Sequence, residues 1–496
     1  MATKFKKIKL QKQIHEPQRR DDTFLYPEYS DPLFNIKISE KLEFNNTKYD
    51  GNIALDIKDD SFCNSQFEIA PHQQFVRNYL SFNTPYNSML LYHGLGSGKT
   101  CSAIGICEEM RDYMKQTGIS KKIIIIASPN VQREFRTQLF DVSKLNKKPK
   151  QPWSMQTCVG TKLLNEVLPM DSYLNKEELV ASINNLIDKY YQFTGYVEFA
   201  NKIKSMESNI KLQKEYENRL VVIDEVQNIR SGQKIDDKLI AAGLKRLVSK
   251  VDHMRLLFLS ATPMYDKASE IVQLLSYMNE NDGRSAINES EVFHSDGSFR
   301  EGGKELLIQK MRGYISFVRG ENPYIFPYRI YPSHFSKHSI TNLPTLPNIS
   351  LTGDTLDSKV IKHIDLVVLP VTANQLSGYR SIIASDTKIL SGGLNYDTLA
   401  KPIQALNMVY PGDTMVGNEA LKDSMKYENK TFSYKNTERF FELDNIGKYS
   451  AKIKHIGESV SDSTGIILIY SYYLDNGLIP LALMLEELGY KKYGSS

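Results

Sequence analysis

The chain has 496 residues, enough for two or three domains with cores of their own. Its composition, 41% hydrophobic and 24% charged, excludes wholesale disorder, and a net charge of +4 neither demands nor excludes a nucleic-acid partner. No apolar run reaches the roughly 18 residues of a membrane span, so no membrane partner is expected.

Taken in chain order, Met1–Arg20 carries seven Lys/Arg against one Glu and no apolar signal core. It reads as a solvated basic tail, with an arm that follows a phosphate backbone as the alternative. Residues 1–60 as a whole read as a polar extension with little core of its own. From 61 to 280 short apolar runs alternate with amphipathic stretches. Ser88–Tyr92, Lys122–Ser128, Leu220–Ile223 and Leu256–Leu259 predict buried strands. Ala103, Ile106, Met110 and Tyr113 recur at helical spacing, and Gly118 suits that helix's end. Strands alternating with helices predict an α/β domain, a parallel sheet with helices on both faces.

Within it, 161–218 reads as a mostly helical insertion whose aromatic cluster (Tyr190, Tyr191, Phe193, Tyr196, Phe199) suits packing better than base stacking. Residues 281–455 read as a connecting or accessory module that opens on the polar, Gly-rich Asn281–Gly303. In 456–496 the spacing predicts one further βα unit: a strand at Gly465–Tyr470, then a helix over Ile479–Leu488 closed by Gly489. The four cysteines, Cys63, Cys101, Cys107 and Cys158, form no CxxC pair; reduced thiols in an intracellular compartment and no zinc site are expected.

The strongest chemical signal is His93-Gly94-Leu95-Gly96-Ser97-Gly98-Lys99-Thr100, set between a predicted strand and a predicted helix. Glycines let backbone N–H groups converge on a polyphosphate, and the helix N-terminus adds partial positive charge. Lys99 is expected to reach the β- and γ-phosphates of ATP and the Thr100 hydroxyl to hold Mg²⁺. His93 stands where such loops usually begin with Gly.

The run Leu220–Ile223 delivers Asp224 and Glu225 at its C-terminal end, beside the loop if the sheet is parallel. Asp224 is the expected second Mg²⁺ ligand and Glu225 the expected general base for the attacking water. Leu256–Leu259 then delivers Ser260-Ala261-Thr262-Pro263, whose hydroxyls can sense the terminal phosphate.

Together these residues resemble the superfamily 2 helicases and translocases. Pro71-His72-Gln73 is similar to the adenine-reading segment, with Gln73 as the base-contacting amide. Gly94–Thr100 resembles the family's motif I, Ile123–Asn130 its motif Ia, Asp224–Gln227 its motif II and Ser260–Thr262 its motif III. The strings VIDEVQNIR (222–230), SATPMY (260–265), GYISFVRGENPYIFPYRIYP (313–332) and IYSYYLDNGLIPL (469–481) resemble helicase-like ATPases of large DNA viruses, including poxvirus nucleoside triphosphatase I and early transcription factor subunits and their giant-virus and asfarvirus relatives.

The resemblance implies a RecA-like fold, with 456–496 as the start of a second RecA-like domain, and a DNA-dependent ATPase with ATP and Mg²⁺ as cofactors. It further implies coupling through Gln227, Ser260, Ala261 and Thr262, DNA favoured over RNA, viral RNA polymerase or transcription factors as partners, and a place in the host cytoplasm or the virion. Motifs V and VI, with the arginine finger, have no counterpart in the residues present, so a truncated chain or one completed by a second polypeptide is expected, with impaired turnover. An RNA helicase and a nucleotide-binding scaffold without motor activity are the alternatives. Arg133, Arg136, Lys245, Arg246 and Lys250 are candidate phosphate contacts, a solvated helix face being at least as good a reading of each.

Overall fold

A computed structural model describes residues 26–49, 69–147, 153–155, 157–168, 174–229, 235–265, 267–319, 330–342, 355, 366–385, 396–429 and 431–493. The basic tail and Cys63 lie outside these residues. The chain divides into two units, Met1–Pro327 and Tyr328–Ser496.

The first unit is built on β1 (Ser88–His93), β2 (Ile123–Ile126), β5 (Tyr191–Thr194), β6 (Leu220–Ile223), β7 (Arg255–Ser260) and β8 (Ile315–Val318), with a short antiparallel pair, β3 (Asn146–Lys147) and β4 (Trp153–Ser154), outside the sheet. The six run parallel in the order β5-β2-β6-β7-β1-β8. Side chains alternate between the two faces, as the period of a strand requires. Met89, Leu91, Ile123, Ile125, Leu220, Val222, Leu257 and Leu259 face one core; Leu90, Ile124, Ile126, Val221, Ile223, Leu256 and Phe258 face the other.

The first core is covered by α3 (Pro71–Tyr79), α4 (Lys99–Gln116), α5 (Pro129–Leu139), α6 (Lys162–Val167) and α7 (Lys176–Tyr190). The second is covered by α8 (Tyr196–Ser205), α9 (Asn209–Tyr216), α10 (Ile235–Lys250) and α11 (Glu270–Asn281). The α/β class expected from the sequence, with helices on both faces, is the observed one.

Three features depart from the sequence reading. The stretch 161–218 is no separate helical insertion, because it contains β5, a parallel partner of β2 at the sheet edge. Tyr191 and Phe199 of its aromatic cluster are buried on opposite faces of the sheet. The sheet is completed by β8, beyond the boundary expected at 280, so the nucleotide-loop domain extends past 281. Finally, the N-terminal extension does contribute to the core. The short helices α1 (Phe34–Glu40) and α2 (Leu42–Asn45) place Phe34, Ile38 and Phe44, each 3% exposed or less, in the first core.

The cysteine expectation is also corrected. Cys101, in the first turn of α4, is disulfide-bonded to Cys158, with Cα atoms 5.2 Å apart, and only Cys107 among the described cysteines is free.

The second unit has its own core of Ala405, Met408, Tyr410, Phe440, Phe441, Ile446 and Met484, flanked by the hairpin β9 (Met425–Glu428) and β10 (Thr431–Tyr434). The expected helix is present at Ile479–Glu487, and Gly489 (φ +93°) follows it. The expected strand at Gly465–Tyr470 is not formed. Ile466, Leu468 and Tyr470 point outward while Ile469 packs on the unit's core: an alternating segment without a hydrogen-bonded neighbour among the described residues. No helix among the described residues is long and apolar enough to cross a membrane.

Candidate nucleotide site

The C-terminal ends of β1, β6 and β7 converge at the centre of the sheet. β1 runs into the loop Gly94–Gly98, and α4 starts at Lys99. Gly96 and Gly98 take φ of +74° and +75°, a left-handed backbone that a side chain would strain. The loop's start is fixed by Gly94, whose N–H donates to the Val318 carbonyl of β8 at 2.9 Å. Its middle is closed by the Ser97 hydroxyl, which donates to the Gly94 carbonyl at 2.7 Å. His93 lies wholly buried beneath, its Nε2 2.9 Å from the Ser316 hydroxyl and its Nδ1 without a partner among the described residues. Burial pushes its ring down to about 4, helped by His72 and Lys99 nearby, so His93 is neutral at physiological pH. A buried neutral ring thus fills the position where Gly is usual.

Lys99 Nζ lies 3.8 Å from Asp224 Oδ1 and 3.6 Å from Glu225 Oε1. The ammonium and both carboxylates expected to act together are therefore in one place. Asp224 is buried, and burial raises its carboxyl above the ordinary range, against the pull of Lys99 and of the Glu225 N–H that donates to Oδ1 at 2.8 Å. A buried carboxylate that one ammonium leaves under-compensated fits a divalent cation. The hard oxygens of Asp224 and Thr100, the second residue of α4, are the donors Mg²⁺ prefers. Glu225 sits at φ +46°, ψ +54°, a backbone few non-glycine residues adopt, which swings its carboxylate out of the line of β6.

A hydrogen-bonded chain leads away from the pair. Gln227 Nε2 donates to Glu225 Oε2 at 2.7 Å, the Ser260 hydroxyl donates to Gln227 Oε1 at 2.7 Å, and the Thr262 N–H donates to Ser260 Oγ at 2.9 Å. Three of the four coupling residues are thus physically joined. Ala261 lies between Ser260 and Thr262 with no polar side chain to offer. Gln73 reaches the loop: its Oε1 accepts from the Ala70 N–H at 3.0 Å and its Nε2 donates to the Gly98 carbonyl at 3.3 Å.

Two residues of this neighbourhood make contacts that the motifs do not assign to them. Tyr196, opening α8, donates its hydroxyl to the Asp224 carbonyl at 2.7 Å and supports the acidic turn from the next strand but one. His72 touches the loop directly, Nε2 to the Ser97 carbonyl at 2.9 Å. Nothing in residue spacing marks either contact.

Most of the candidate phosphate contacts have internal partners. Arg136 pairs with Asp188 at 2.6 Å and covers the Phe193 ring, Lys245 pairs with Glu280, and Arg246 donates to the Ile203 and Met206 carbonyls. Arg133 donates to Asn130 within α5.

A parallel α/β sheet that gathers a phosphate-loop sequence, an acidic pair and a hydroxyl turn at one edge has the arrangement of a P-loop nucleotide site. Residues 72–316 match the model of the SNF2-related domain. That stretch, just under half of the chain, is similar to the SNF2-related domain of helicase-like proteins. A putative ATP-dependent RNA helicase of Acanthamoeba polyphaga mimivirus is 26% identical over 445 residues, 87% of this chain and 66% of that protein. An early transcription factor large subunit homolog of African swine fever virus is 24% identical over 59% of this chain and 31% of that protein. Among solved structures, the Sulfolobus solfataricus SWI2/SNF2 ATPase core in complex with dsDNA aligns at 15% identity over 69% of this chain and 59% of that one, with a TM-score of 0.31, a likeness too loose to bear on function. The chain spans between about a quarter and two thirds of the length of the first curated relatives it matches.

Proposed function

We propose that the chain is the ATP-binding part of a nucleic-acid-dependent ATPase motor that works on DNA in viral transcription. The single observation that carries the ATPase reading is Lys99 held between Asp224 and Glu225 at the mouth of the phosphate loop. In this reading the N–H groups of the loop and the start of α4 bind the phosphates, and Lys99 leaves the carboxylates for the terminal phosphate oxygens. Thr100 and Asp224 would hold Mg²⁺, which when bound neutralises charge on the β- and γ-phosphate oxygens. Glu225 orients the attacking water and takes its proton, held in place by the Gln227 amide on its other oxygen. Loss of the terminal phosphate reaches Ser260 and Thr262 through that same amide. The African swine fever virus relative named as an early transcription factor subunit supports the transcription role, with the host cytoplasm or the virion as the place of work.

A second reading, an RNA helicase, is favoured by the mimivirus relative, itself named a putative ATP-dependent RNA helicase. Hydrolysis of Mg·ATP by the chain, measured alone and with duplex DNA, single-stranded DNA and single-stranded RNA, separates the two. Stimulation by DNA is expected, and stimulation by RNA alone would shift the reading to the helicase. Mg·ATP binding without a response to any nucleic acid would leave a nucleotide-binding scaffold. Failure to bind Mg·ATP at all would overturn the reading of the site.

A further inference from the structure

The phosphate loop is gripped from outside by two adjacent residues of α3. His72 holds the Ser97 carbonyl and Gln73 the Gly98 carbonyl, consecutive peptides of the loop. A trans peptide is planar, with its C=O and N–H pointing in opposite directions. Turning the Ser97 carbonyl toward α3 therefore turns the Gly98 N–H away from it, toward the cradle. The same grip on the Gly98 carbonyl turns the Lys99 N–H inward. That second carbonyl also accepts from the Ser102 N–H at 2.9 Å and the Ser102 hydroxyl at 3.2 Å, so its peptide is fixed by the helix as well. For the Ser97 carbonyl the described contacts name His72 alone. The fit is close: a Cβ at Gly98 would come within 2.5 Å of Gln73 Nε2.

The tautomer follows from the partners. A carbonyl only accepts, so His72 Nε2 carries a hydrogen. In the neutral ring Nδ1 then has a lone pair, and the Tyr49 hydroxyl stands 2.8 Å away to donate to it. Tyr49 follows α2, whose neighbourhood is tied to α3 by Asn78 Nδ2 donating to the Glu43 carbonyl at 2.8 Å. A line of hydrogen bonds thus runs from the N-terminal segment through one imidazole to a phosphate-loop peptide.

We propose that His72 is a positioning residue of the nucleotide site, holding the Ser97–Gly98 peptide so that the Gly98 N–H meets the nucleotide phosphate, with Tyr49 fixing the ring that does so. The proposal rests on the reading of Gly94–Thr100 as a nucleotide loop. It assigns to the N-terminal segment a part in nucleotide affinity without any contact to the nucleotide itself.

The test is titration of the 496-residue chain with a fluorescent ATP analogue and Mg²⁺, alongside thermal melting of each variant. His72→Ala is expected to weaken binding about three- to ten-fold, the worth of one hydrogen bond that pre-sets a phosphate donor. His72→Gln offers an amide N–H at similar reach and should restore most of that loss. Tyr49→Phe should weaken binding about two-fold in the native background and have no effect once His72 is Gln, because the lone pair it serves is gone. Should His72→Ala fail to fold, the Tyr49→Phe and His72→Gln pair carries the test alone. Native affinity in His72→Ala, or a His72→Gln variant that melts normally yet binds as weakly as His72→Ala, would overturn the proposal. Absence of binding by the native chain would instead strike the underlying reading of the loop, and a Lys99→Ala control with weakened binding keeps the two failures apart.

Discussion

Replacing Glu225 by Gln separates the two duties of the acidic pair. Glu225 Oε1 lies 3.6 Å from Lys99 Nζ, and its side chain is 39% exposed. At that exposure a water-like dielectric applies, and the attraction is about 332/(80 × 3.6), or roughly 1 kcal/mol. An incoming phosphate must break this contact and also approach a negative carboxylate. The amide removes both penalties, while its oxygen can still accept from Gln227 Nε2. Mg·ATP should therefore bind up to about five-fold more tightly, the equivalent of that 1 kcal/mol. Hydrolysis should fall by about 10²–10⁴, the usual worth of a positioned general base. Equilibrium binding of a fluorescent ATP analogue and single-turnover hydrolysis of radiolabelled ATP measure the two effects separately. Turnover within ten-fold of native, or affinity weakened ten-fold, would refute the assignment of Glu225 as base and as competitor with phosphate for Lys99.

Three further outcomes are expected. Ser260→Ala strips partners from the Gln227 carbonyl and the Thr262 N–H, and Ser260 is fully buried. Stability should drop by about 1–3 kcal/mol in urea titration, with ATP affinity unchanged and any response of hydrolysis to nucleic acid reduced. Arg111, 1% exposed, donates to Glu108 one turn back on α4 and to Glu166 across the gap to α6. Arg111→Met leaves the Glu108 carboxylate buried with only Lys162 and the Tyr191 hydroxyl beside it, and should cost about 3–5 kcal/mol by the same assay. Burial pushes the Asp282 carboxyl up to about 6 from 3.8, against hydrogen bonds from the Asn87 N–H and Nδ2. Because the folded value is the higher, its contribution to stability is full below about 3.8 and is lost as pH rises through about 6. The urea midpoint of the native chain should fall between pH 4.5 and 7.5, and Asp282→Asn should flatten that dependence.

The centre of the site was legible because its signals are local. A strand that ends in Gly94-Leu95-Gly96-Ser97-Gly98-Lys99-Thr100 and one that ends in Asp224-Glu225 each carry their chemistry within eight residues, and a parallel sheet leaves them at the same edge. The sheet's own edges were harder to read. β5 is four residues long and abuts α7 directly, with no Gly or Pro between Tyr190 and Tyr191 to mark the change of period. β8 is only partly buried along its length, so its composition does not announce a core strand. Cys101 and Cys158 are 57 residues apart, and no spacing rule links them. At Gly465–Tyr470 the apolar run Ile466–Tyr470 suggests a strand that the structure does not form. Such a run becomes a strand only when another backbone takes up its hydrogen bonds, which local sequence cannot specify. The contacts of His72 and Tyr196 belong to the same kind: side chains reaching a carbonyl brought near by the fold.

The anchoring of Gly94 to Val318 has a mechanical consequence. β8 is bordered by another strand on one side alone among the described residues, and it is partly exposed along its length. Border strands are the part of a sheet that frays at least cost. The entrance to the phosphate cradle is thus moored to the most easily detached plank of the platform, while Lys99 and Asp224 are fastened amidships. Hydrogen exchange at the Gly94 amide should report this looseness long before the amides of β6 or β7 give way.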